Sequence, residues 1–160
     1  MQDLENKQAR IYRRRQNVLY YCLFLIRNRD GHMIEVTAAI IRNEKNEILI
    51  CQRGPGGSCA HLWEFPGGKR EPDEALEACL MRECLEELNI EIGVERFFIE
   101  TVHAYPDKTV RLFFFLAYIT KGEPELNVHA DMAWARPERL CKYPFCPADL
   151  PILERLQYLS

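Results

Sequence analysis

The amino-acid sequence predicts an α+β domain in which a mixed β-sheet lies between helices. Apolar segments with strand character precede and follow one long helix, and a second helix closes the chain. The length of 160 residues suits one domain with a sizeable core. A content of 48% hydrophobic and 28% charged residues is ordinary for a globular protein.

Residues 1–32 differ in composition from the remainder of the chain. A basic run at residues 13–15 precedes nine apolar residues at 18–26. Nine apolar residues are too few to span a bilayer, and no small-residue cleavage site follows, so the signal-peptide pattern is weak. We expect an N-terminal extension that is an artefact or a translated leader, ahead of a domain over residues 33–160. An added strand or a partner-binding helix is the functional alternative.

Two strands are predicted at the start of this domain. Residues 34–41 form a buried strand by their β-branched content, and residues 47–53 form a second strand after a polar turn. The short turn between them predicts a hairpin. The segment 62–65 then leads into a glycine corner, and Trp63 is expected in the core rather than as a platform for a base.

A helix is predicted over residues 74–88, which contain no glycine or proline. Asp73 can cap this helix or lie in its first turn, and Asn89 suits the left-handed conformation just past its end. The elements that follow are strands at residues 97–105, 110–119 and 133–135, a helical turn at 137–140, and a closing helix at 148–159 with Pro151 in its first turn.

The acidic residues of the predicted helix fall on its apolar side. At about 100° per residue, Glu83 and Glu87 project into the same sector as Leu76 and Leu80, with Glu86 close by. Carboxylates at this spacing repel one another, so a cation is expected among them. Mg²⁺ is typically held by a few carboxylates together with phosphate oxygens and waters. The alternative is a surface helix that is merely rich in glutamate.

Two adjacent glycines, Gly67 and Gly68, precede this helix. Glycine adopts positive φ and lets the backbone approach a ligand closely, so a carbonyl of this corner can serve as a further metal ligand. The corner and the acids together predict a metal site that carries the phosphates of a nucleotide.

Charge and cysteine content exclude several classes of protein. A formal net charge of −3 provides no basic field for a nucleic-acid polymer, whereas a nucleotide that arrives with its metal needs none. The seven cysteines are odd in number and include no C-x2-C pair, and their two C-x4-C spacings are not usual for zinc. We therefore expect reduced cysteines in a cytoplasmic protein.

The stretch from Gly68 to Ile90 resembles the Nudix box, G-x5-E-x7-R-E-U-x-E-E-x-G-U, in which U is apolar. The six fixed positions before the last glycine are all present, as Gly68, Glu74, Arg82, Glu83, Glu86 and Glu87. Asn89 replaces the terminal glycine and tolerates the same left-handed conformation. Cys84 occupies an apolar position as a small hydrophobe.

Beyond the box, the domain from residue 33 onward looks like the MutT subfamily of Nudix hydrolases. The matching stretches are residues 36–44, 62–69 and 143–149. The resemblance implies the Nudix fold, a mixed sheet in an α/β/α sandwich, which agrees with the order of elements above. It also implies hydrolysis of a nucleoside triphosphate to the monophosphate and pyrophosphate with Mg²⁺ or Mn²⁺.

The resemblance assigns roles within the box. The implied metal ligands are Glu83, Glu86, Glu87 and the backbone carbonyl of Gly67. Arg82 would hold the glutamates in place by charge-assisted hydrogen bonds, and Glu74 would support this arrangement at the start of the helix. Water would attack the β-phosphorus while the metal neutralises the phosphate oxygens. Glu83 is the expected general base, with Glu86 as its rival.

Substrate contacts are expected outside the helix. The candidates are Arg53, Glu64, Phe65, Lys69 and Asp149. Lys69 is a candidate for contact with phosphate. Arg53 would contact a phosphate or the base, and the equal alternative is an arginine at the rim.

Asp149 bears on which nucleobase the site would bind. MutT itself has an asparagine at this position that reads an oxidised guanine, whereas the run at residues 147–151 looks more like relatives that hydrolyse CTP and modified pyrimidine triphosphates. A carboxylate accepts hydrogen bonds from an exocyclic amine, and a protonated carboxyl group can also donate one to an oxidised purine. The alternative is an acid that favours the start of a helix.

One position departs from the pattern of many relatives, which have a glutamate before a histidine in the loop that leads to the late tryptophan strand. Here Val128 precedes His129. The auxiliary role of that glutamate as base or metal ligand is therefore absent or taken by Asp131. His129 itself is expected to be structural.

Three functions remain for comparison. The first is an Mg²⁺-dependent enzyme that hydrolyses oxidised or non-standard (d)NTPs such as 8-oxo-dGTP, or CTP-like pyrimidine triphosphates. The second is a Nudix hydrolase of a dinucleotide such as NADH or ADP-ribose, and the third is a catalytically silent nucleotide-binding module. We expect a small-molecule nucleotide as partner, neither nucleic-acid polymer nor membrane, and a monomer or homodimer.

Overall fold

The computed structural model describes residues 33–158, so the predictions for residues 1–32 lie outside the described residues. The elements are β1 (Met33–Ile41), β2 (Ile48–Gln52), β3 (Trp63–Glu64), helix α1 (Leu76–Leu88), β4 (Glu91–Ala104), β5 (Thr109–Lys121), β6 (Asp131–Ala135), the 3₁₀ helix η1 (Pro137–Lys142) and helix α2 (Leu150–Leu156).

Within the described residues, the strands form two three-stranded sheets. In the first sheet, the order is β1-β5-β4, with β1 parallel to β5 and β4 antiparallel to it. In the second sheet, β2 lies between β3 and β6, and both pairings are antiparallel. The first sheet is therefore mixed, and the predicted α+β class is confirmed.

The two helices pack on opposite faces of the first sheet. Successive residues of a strand point to opposite faces, so neighbours in β5 belong to different core clusters. Phe114 packs in the cluster that contains α2, and Phe115 packs in the cluster that contains α1. Ile40 and Ile41 of β1 divide in the same way. Trp63 is 7% exposed and lies in the cluster with α2, which confirms its place in the core.

The predicted hairpin of the first two strands is wrong. In the described part of the chain, β1 and β2 belong to different sheets and are joined by one isolated bridge, between Arg42 and Ile48. Both edges of β1 are already used, because one pairs with β5 and the other bonds to the segment 66–70. A two-sided apolar strand of this kind belongs inside a sheet.

Strand β4 begins at Glu91 rather than at residue 97. Its pairing with β5 shifts register between Val94 and Arg96 and again between Phe97 and Ile99. Such bulges break the alternation of apolar and polar residues on which a strand prediction depends.

The ends of the helices also differ from the prediction. Helix α1 begins at Leu76 with Ala75 at its N-cap, and Asp73 does not cap it because its φ of +62° places it in a turn. Asn89 has φ 55° and ψ 35°, so the left-handed residue after the helix is confirmed. Helix α2 is shorter than predicted, and Pro151 lies in its first turn as expected.

Within residues 33–158, no helix has the length and apolarity needed to cross a membrane.

Candidate functional site

The glycine corner is fastened to strand β1 by its backbone. The amide of Ala39 donates to the carbonyl of Pro66 at 2.8 Å, and the amide of Thr37 donates to the carbonyl of Gly68 at 2.9 Å. Gly67 has φ +145°, and a Cβ atom at this residue would lie 2.1 Å from the carbonyl oxygen of Thr37. Only glycine fits here. The Gly67 carbonyl accepts no hydrogen bond from residues 33–158, so its oxygen is free to bind a ligand.

Glu83 packs directly against this corner. Its side chain is 14% exposed, and a Cβ atom on Gly68 would lie 2.3 Å from the carboxyl carbon. Glycine at residue 68 therefore makes room for the Glu83 carboxylate. The helix supplies the acid and the corner supplies the space, which is why both parts of the sequence pattern are needed.

Arg82 connects the start of the box to its acids. Its Nε and Nη2 atoms donate to the two oxygens of Glu74 at 2.8 and 3.0 Å. Its Nη1 atom donates to Glu83 at 2.8 Å and to Glu86 at 3.3 Å. The hydrogen bond from Arg82 is the main reason that the pKa of Glu74 is lowered to about 2.

Glu87 is the second acid that faces the corner. Its side chain is 16% exposed, and its Oε2 atom accepts a hydrogen bond from the Gly67 amide at 3.3 Å. The pKa of Glu87 is raised to about 7, and burial is the largest cause. His129 and the hydrogen bond from the Gly67 amide lower this pKa, whereas the charges of Glu64 and Glu83 raise it. A carboxyl group held in this way gains from a nearby cation.

Glu86 lies at the rim, with 58% of its side chain exposed. In residues 33–158, no three acidic, histidine or cysteine side chains meet closely enough to form a ready-made metal cluster. Arg82 is the counterion of Glu83 and Glu86 in this arrangement. The carboxylates and the free Gly67 carbonyl are hard oxygen donors beside a corner where glycine leaves room, so they fit a hard divalent ion.

A cavity of about 180 Å³ opens next to the corner. Four of the predicted substrate residues line it, namely Arg53, Glu64, Lys69 and Asp149. The side chain of Phe65 does not line the cavity, and the contact of this residue with substrate stays a prediction. It is 3% exposed and packs on the rings of Phe114 and Phe145 because its alternation along the chain turns it into the core.

The floor of this cavity holds a buried acid beside an ion pair. Arg53 Nη1 lies 2.7 Å from Glu64 Oε2, and Asp149 is 4% exposed. Burial raises the pKa of Asp149 well above its usual range, and the nearby Glu64 charge raises it further. A backbone hydrogen bond from Phe65 and the charge of Arg53 act in the opposite direction. The protonated form of Asp149 is thereby favoured.

His129 lies between the cavity and helix α1. Its side chain is 4% exposed, and its Nε2 atom lies 3.2 Å from Glu64 Oε1 and 4.0 Å from Glu87 Oε2. The sequence predicts a structural histidine and gives no sign of this link, because Glu64 lies 65 residues away. Val128 is 64% exposed. Asp131 is also exposed and bonds to the amide of Met132, so it does not line the cavity.

The lining residues that were not predicted include Cys59, Tyr105 and Cys146. The Cys59 thiol lies 3.7 Å from the hydroxyl of Tyr105. Isolated cysteines and an aromatic residue at the end of a strand carry no recognisable spacing in the sequence, so only the fold brings them together.

The family model described as NUDIX domain matches residues 37–155. The chain belongs to the Nudix family. CTP pyrophosphohydrolase of Escherichia coli K12 is 38% identical over 127 residues, which cover 79% of this chain and 93% of that protein. 8-oxo-dGTP diphosphatase of the same organism is 33% identical over 126 residues, which cover 79% of this chain and 98% of that protein.

The fold is also similar to solved Nudix structures. The solution structure of the E. coli ORF135 protein has a TM-score of 0.70 and 37% identity, and the match covers 81% of this chain and 91% of that one. The implied Nudix fold is therefore confirmed. Nudix hydrolases generally depend on divalent metal ions, in agreement with the oxygen donors around Gly67.

Proposed function

We propose that the chain is an Mg²⁺-dependent nucleoside triphosphate pyrophosphohydrolase, with Mn²⁺ as an alternative ion. The observation that carries this proposal is the position of two acids at the glycine corner: Glu83 packs against Gly68, and Glu87 accepts a hydrogen bond from the Gly67 amide. The same corner lines the cavity that Asp149 lines. The relatives named CTP pyrophosphohydrolase and 8-oxo-dGTP diphosphatase support the same activity.

The ion would be held by Glu83, Glu86, Glu87 and the Gly67 carbonyl. When bound, it would neutralise phosphate oxygens and lower the pKa of the attacking water. Arg82 keeps Glu83 and Glu86 oriented through its hydrogen bonds. Lys69 is exposed at the rim of the cavity, where its ammonium group can pair with a phosphate.

We assign the general base to Glu83. Water attacks the β-phosphorus, Glu83 accepts its proton, and the nucleoside monophosphate leaves as pyrophosphate is formed. Glu83 is fixed by Arg82 and by contact with the glycine corner, whereas Glu86 is more than half exposed at the rim. A base must hold its position while the proton moves, and this favours Glu83 over Glu86.

The substrates we propose are oxidised or non-standard (d)NTPs, including 8-oxo-dGTP and CTP-like pyrimidine triphosphates. Asp149 can read either kind of base, because its ionised form accepts a hydrogen bond from an exocyclic amine and its protonated form donates one. Arg53 and Glu64 line the same cavity and offer a donor and an acceptor.

The test is a panel of triphosphates with Mg²⁺ in which the products are identified. CTP, 5-substituted CTP, 8-oxo-dGTP and dGTP are each incubated with the wild type, with Glu83→Gln and with Glu77→Gln, which removes an exposed acid of the same helix. We expect a monophosphate and pyrophosphate from the wild type and from Glu77→Gln, and a loss of at least about 10²-fold for Glu83→Gln.

The proposal fails if no triphosphate is hydrolysed faster by the wild type than by Glu83→Gln. Two monophosphates from NADH or ADP-ribose, without turnover of any triphosphate, would instead identify a dinucleotide hydrolase. The same proposal includes an N-terminal extension at residues 1–32 that is an artefact or a leader, a monomer or homodimer that binds no nucleic-acid polymer, and a cytoplasmic location.

A further inference from the structure

A second cavity, of about 270 Å³, lies at the far end of strand β6. Its lining residues are Glu47, Trp134, Ala135, Arg136, Arg139 and Tyr143. None of these residues lines the cavity beside the glycine corner. The family resemblance and the proposed hydrolysis give this second cavity no role.

The two arginines of this cavity lie at the start of one turn. Arg136 has extended backbone and immediately precedes η1, and the amide of Arg139 donates to its carbonyl at 2.8 Å. Both residues line the cavity.

Across residues 33–158, neither Arg136 nor Arg139 forms an ion pair, whereas Arg53, Arg82 and Arg111 each do. Glu47 is the one acidic residue that lines the cavity with them, so the lining carries a net positive charge. Such a charge attracts an anion. Guanidinium groups match phosphate oxygens through paired hydrogen bonds.

The remaining walls suit a planar ring. Trp134 and Tyr143 are both half-buried, and the Tyr143 ring is fixed by an edge contact with Trp63 at 4.9 Å between centroids. Glu47, also half-buried, is oriented by a 3.0 Å hydrogen bond from the side chain of Asn43. Its carboxylate can accept a hydrogen bond from a hydroxyl or amino group.

We propose that this second cavity binds a nucleoside monophosphate. Arg136 and Arg139 bind the phosphate, Trp134 and Tyr143 contact the base, and Glu47 accepts hydrogen bonds from the sugar. The volume lies near the lower end of the range of about 300–1,000 Å³ for small-molecule sites, which suits a mononucleotide better than a dinucleotide. Binding requires no metal, because the two guanidinium groups neutralise the phosphate.

The test is calorimetric titration of the full chain with cytidine and guanosine 5′-monophosphates. EDTA is present so that no divalent ion can support nucleotide binding in the first cavity. We expect binding by the wild type that weakens as salt is added. Each of Arg136→Ala and Arg139→Ala should weaken it by about tenfold, the loss of one charged hydrogen-bonding group. Arg96→Ala, which removes an exposed arginine of β4, should leave the affinity unchanged.

Three results would overturn the proposal: no binding by the wild type, equal binding by the double variant Arg136→Ala/Arg139→Ala, or loss of binding in Asp149→Asn, which would place the ligand in the first cavity. Circular dichroism establishes that the variants are folded. Arg139→Gln is used in place of any variant that is not folded.

Inorganic phosphate alone should bind more weakly than either nucleotide if the aromatic walls contribute. If inorganic phosphate and the nucleotides bind with equal affinity, the proposal that the ligand is a nucleotide is wrong. Loss of hydrolysis in Glu83→Gln does not affect this titration, so the two proposals fail separately.

Discussion

The guanidinium group of Arg82 binds both carboxylate oxygens of Glu74, with Nε to Oε1 at 2.8 Å and Nη2 to Oε2 at 3.0 Å. Glu74 lies just before helix α1 and Arg82 lies within it, so the pair ties the glycine corner to the helix that bears the acids. The geometry is bidentate, and lysine cannot reproduce it.

Glu74→Gln should therefore reduce activity without unfolding the chain. The variant leaves Arg82 free to move, and with it Glu83 and Glu86. Loss of a residue that orients metal ligands typically reduces metal affinity or activity by about 10- to 100-fold. We expect a higher Mg²⁺ concentration for half-maximal activity in Glu74→Gln and in Arg82→Lys. Glu77→Gln provides the control, and an unchanged Mg²⁺ requirement in Glu74→Gln would show that the pair does not position the acids.

The two glycines of the corner should respond differently to substitution by alanine. In Gly67→Ala, the new Cβ atom meets the backbone oxygen of Thr37 at 2.1 Å and the residue is held at φ +145°. Since the backbone cannot give way cheaply, we expect a loss of at least about 1–3 kcal/mol in the free energy of unfolding, measured with urea.

In Gly68→Ala, the new Cβ atom meets the Glu83 carboxylate at 2.3 Å, and a side chain can move aside. Stability should change less than in Gly67→Ala, whereas hydrolysis should fall with Mg²⁺ present because Glu83 is displaced. If Gly68→Ala kept full activity, the contact between Gly68 and Glu83 would have no functional meaning.

The link between His129 and Glu64 should be measurable as a coupling energy. The Nε2 atom of His129 is buried and lies 3.2 Å from Glu64 Oε1. His129→Ala leaves the Oε1 atom of Glu64 without its partner, while Oε2 keeps its bond to Arg53. The unpaired oxygen costs about 1–3 kcal/mol of stability. The double variant with Glu64→Gln should be less destabilised than the sum of the single changes by about 0.5–3 kcal/mol. Additive effects in urea unfolding would exclude a direct bond.

Asp149 should make the stability of the chain depend on pH. Its folded pKa is raised above the unfolded value, so the folded state binds the proton more tightly. As pH rises from the unfolded pKa toward the folded pKa, the folded chain loses stability relative to a variant without this carboxyl group. Asp149→Asn should therefore unfold at a higher temperature than the wild type at pH 8, and the gap should close toward pH 4. A gap that is constant with pH in EDTA would contradict this.

Local features of the fold could be predicted from the sequence. Helix α1 and the left-handed Asn89 follow from spacing within a few turns, and so does the inward direction of Glu83 and Glu87. Partner choice between strands could not be predicted in this way. The hairpin of β1 and β2 was a sound local inference, but β1 pairs with β5, which is more than 60 positions away in every aligned pair. Long-range pairing depends on which faces are buried, and short turns do not determine that.

Part of the candidate site could also be predicted from the sequence, and part of it could not. Its acids and glycines occur in one continuous stretch and could be predicted together, although their roles remain predictions. His129 and Tyr105 come from distant elements, so only the folded chain shows that they lie near Glu64 and Asp149. Phe65 follows Glu64 in sequence, but its side chain turns into the core because adjacent residues of an extended segment face opposite ways.

Arg82 gives the protein a resident counterion. Because its guanidinium group pairs with Glu74, Glu83 and Glu86 at once, it offsets part of the repulsion among these carboxylates before any metal ion binds. We therefore expect the domain to fold without a divalent ion, which only the proposed hydrolysis requires.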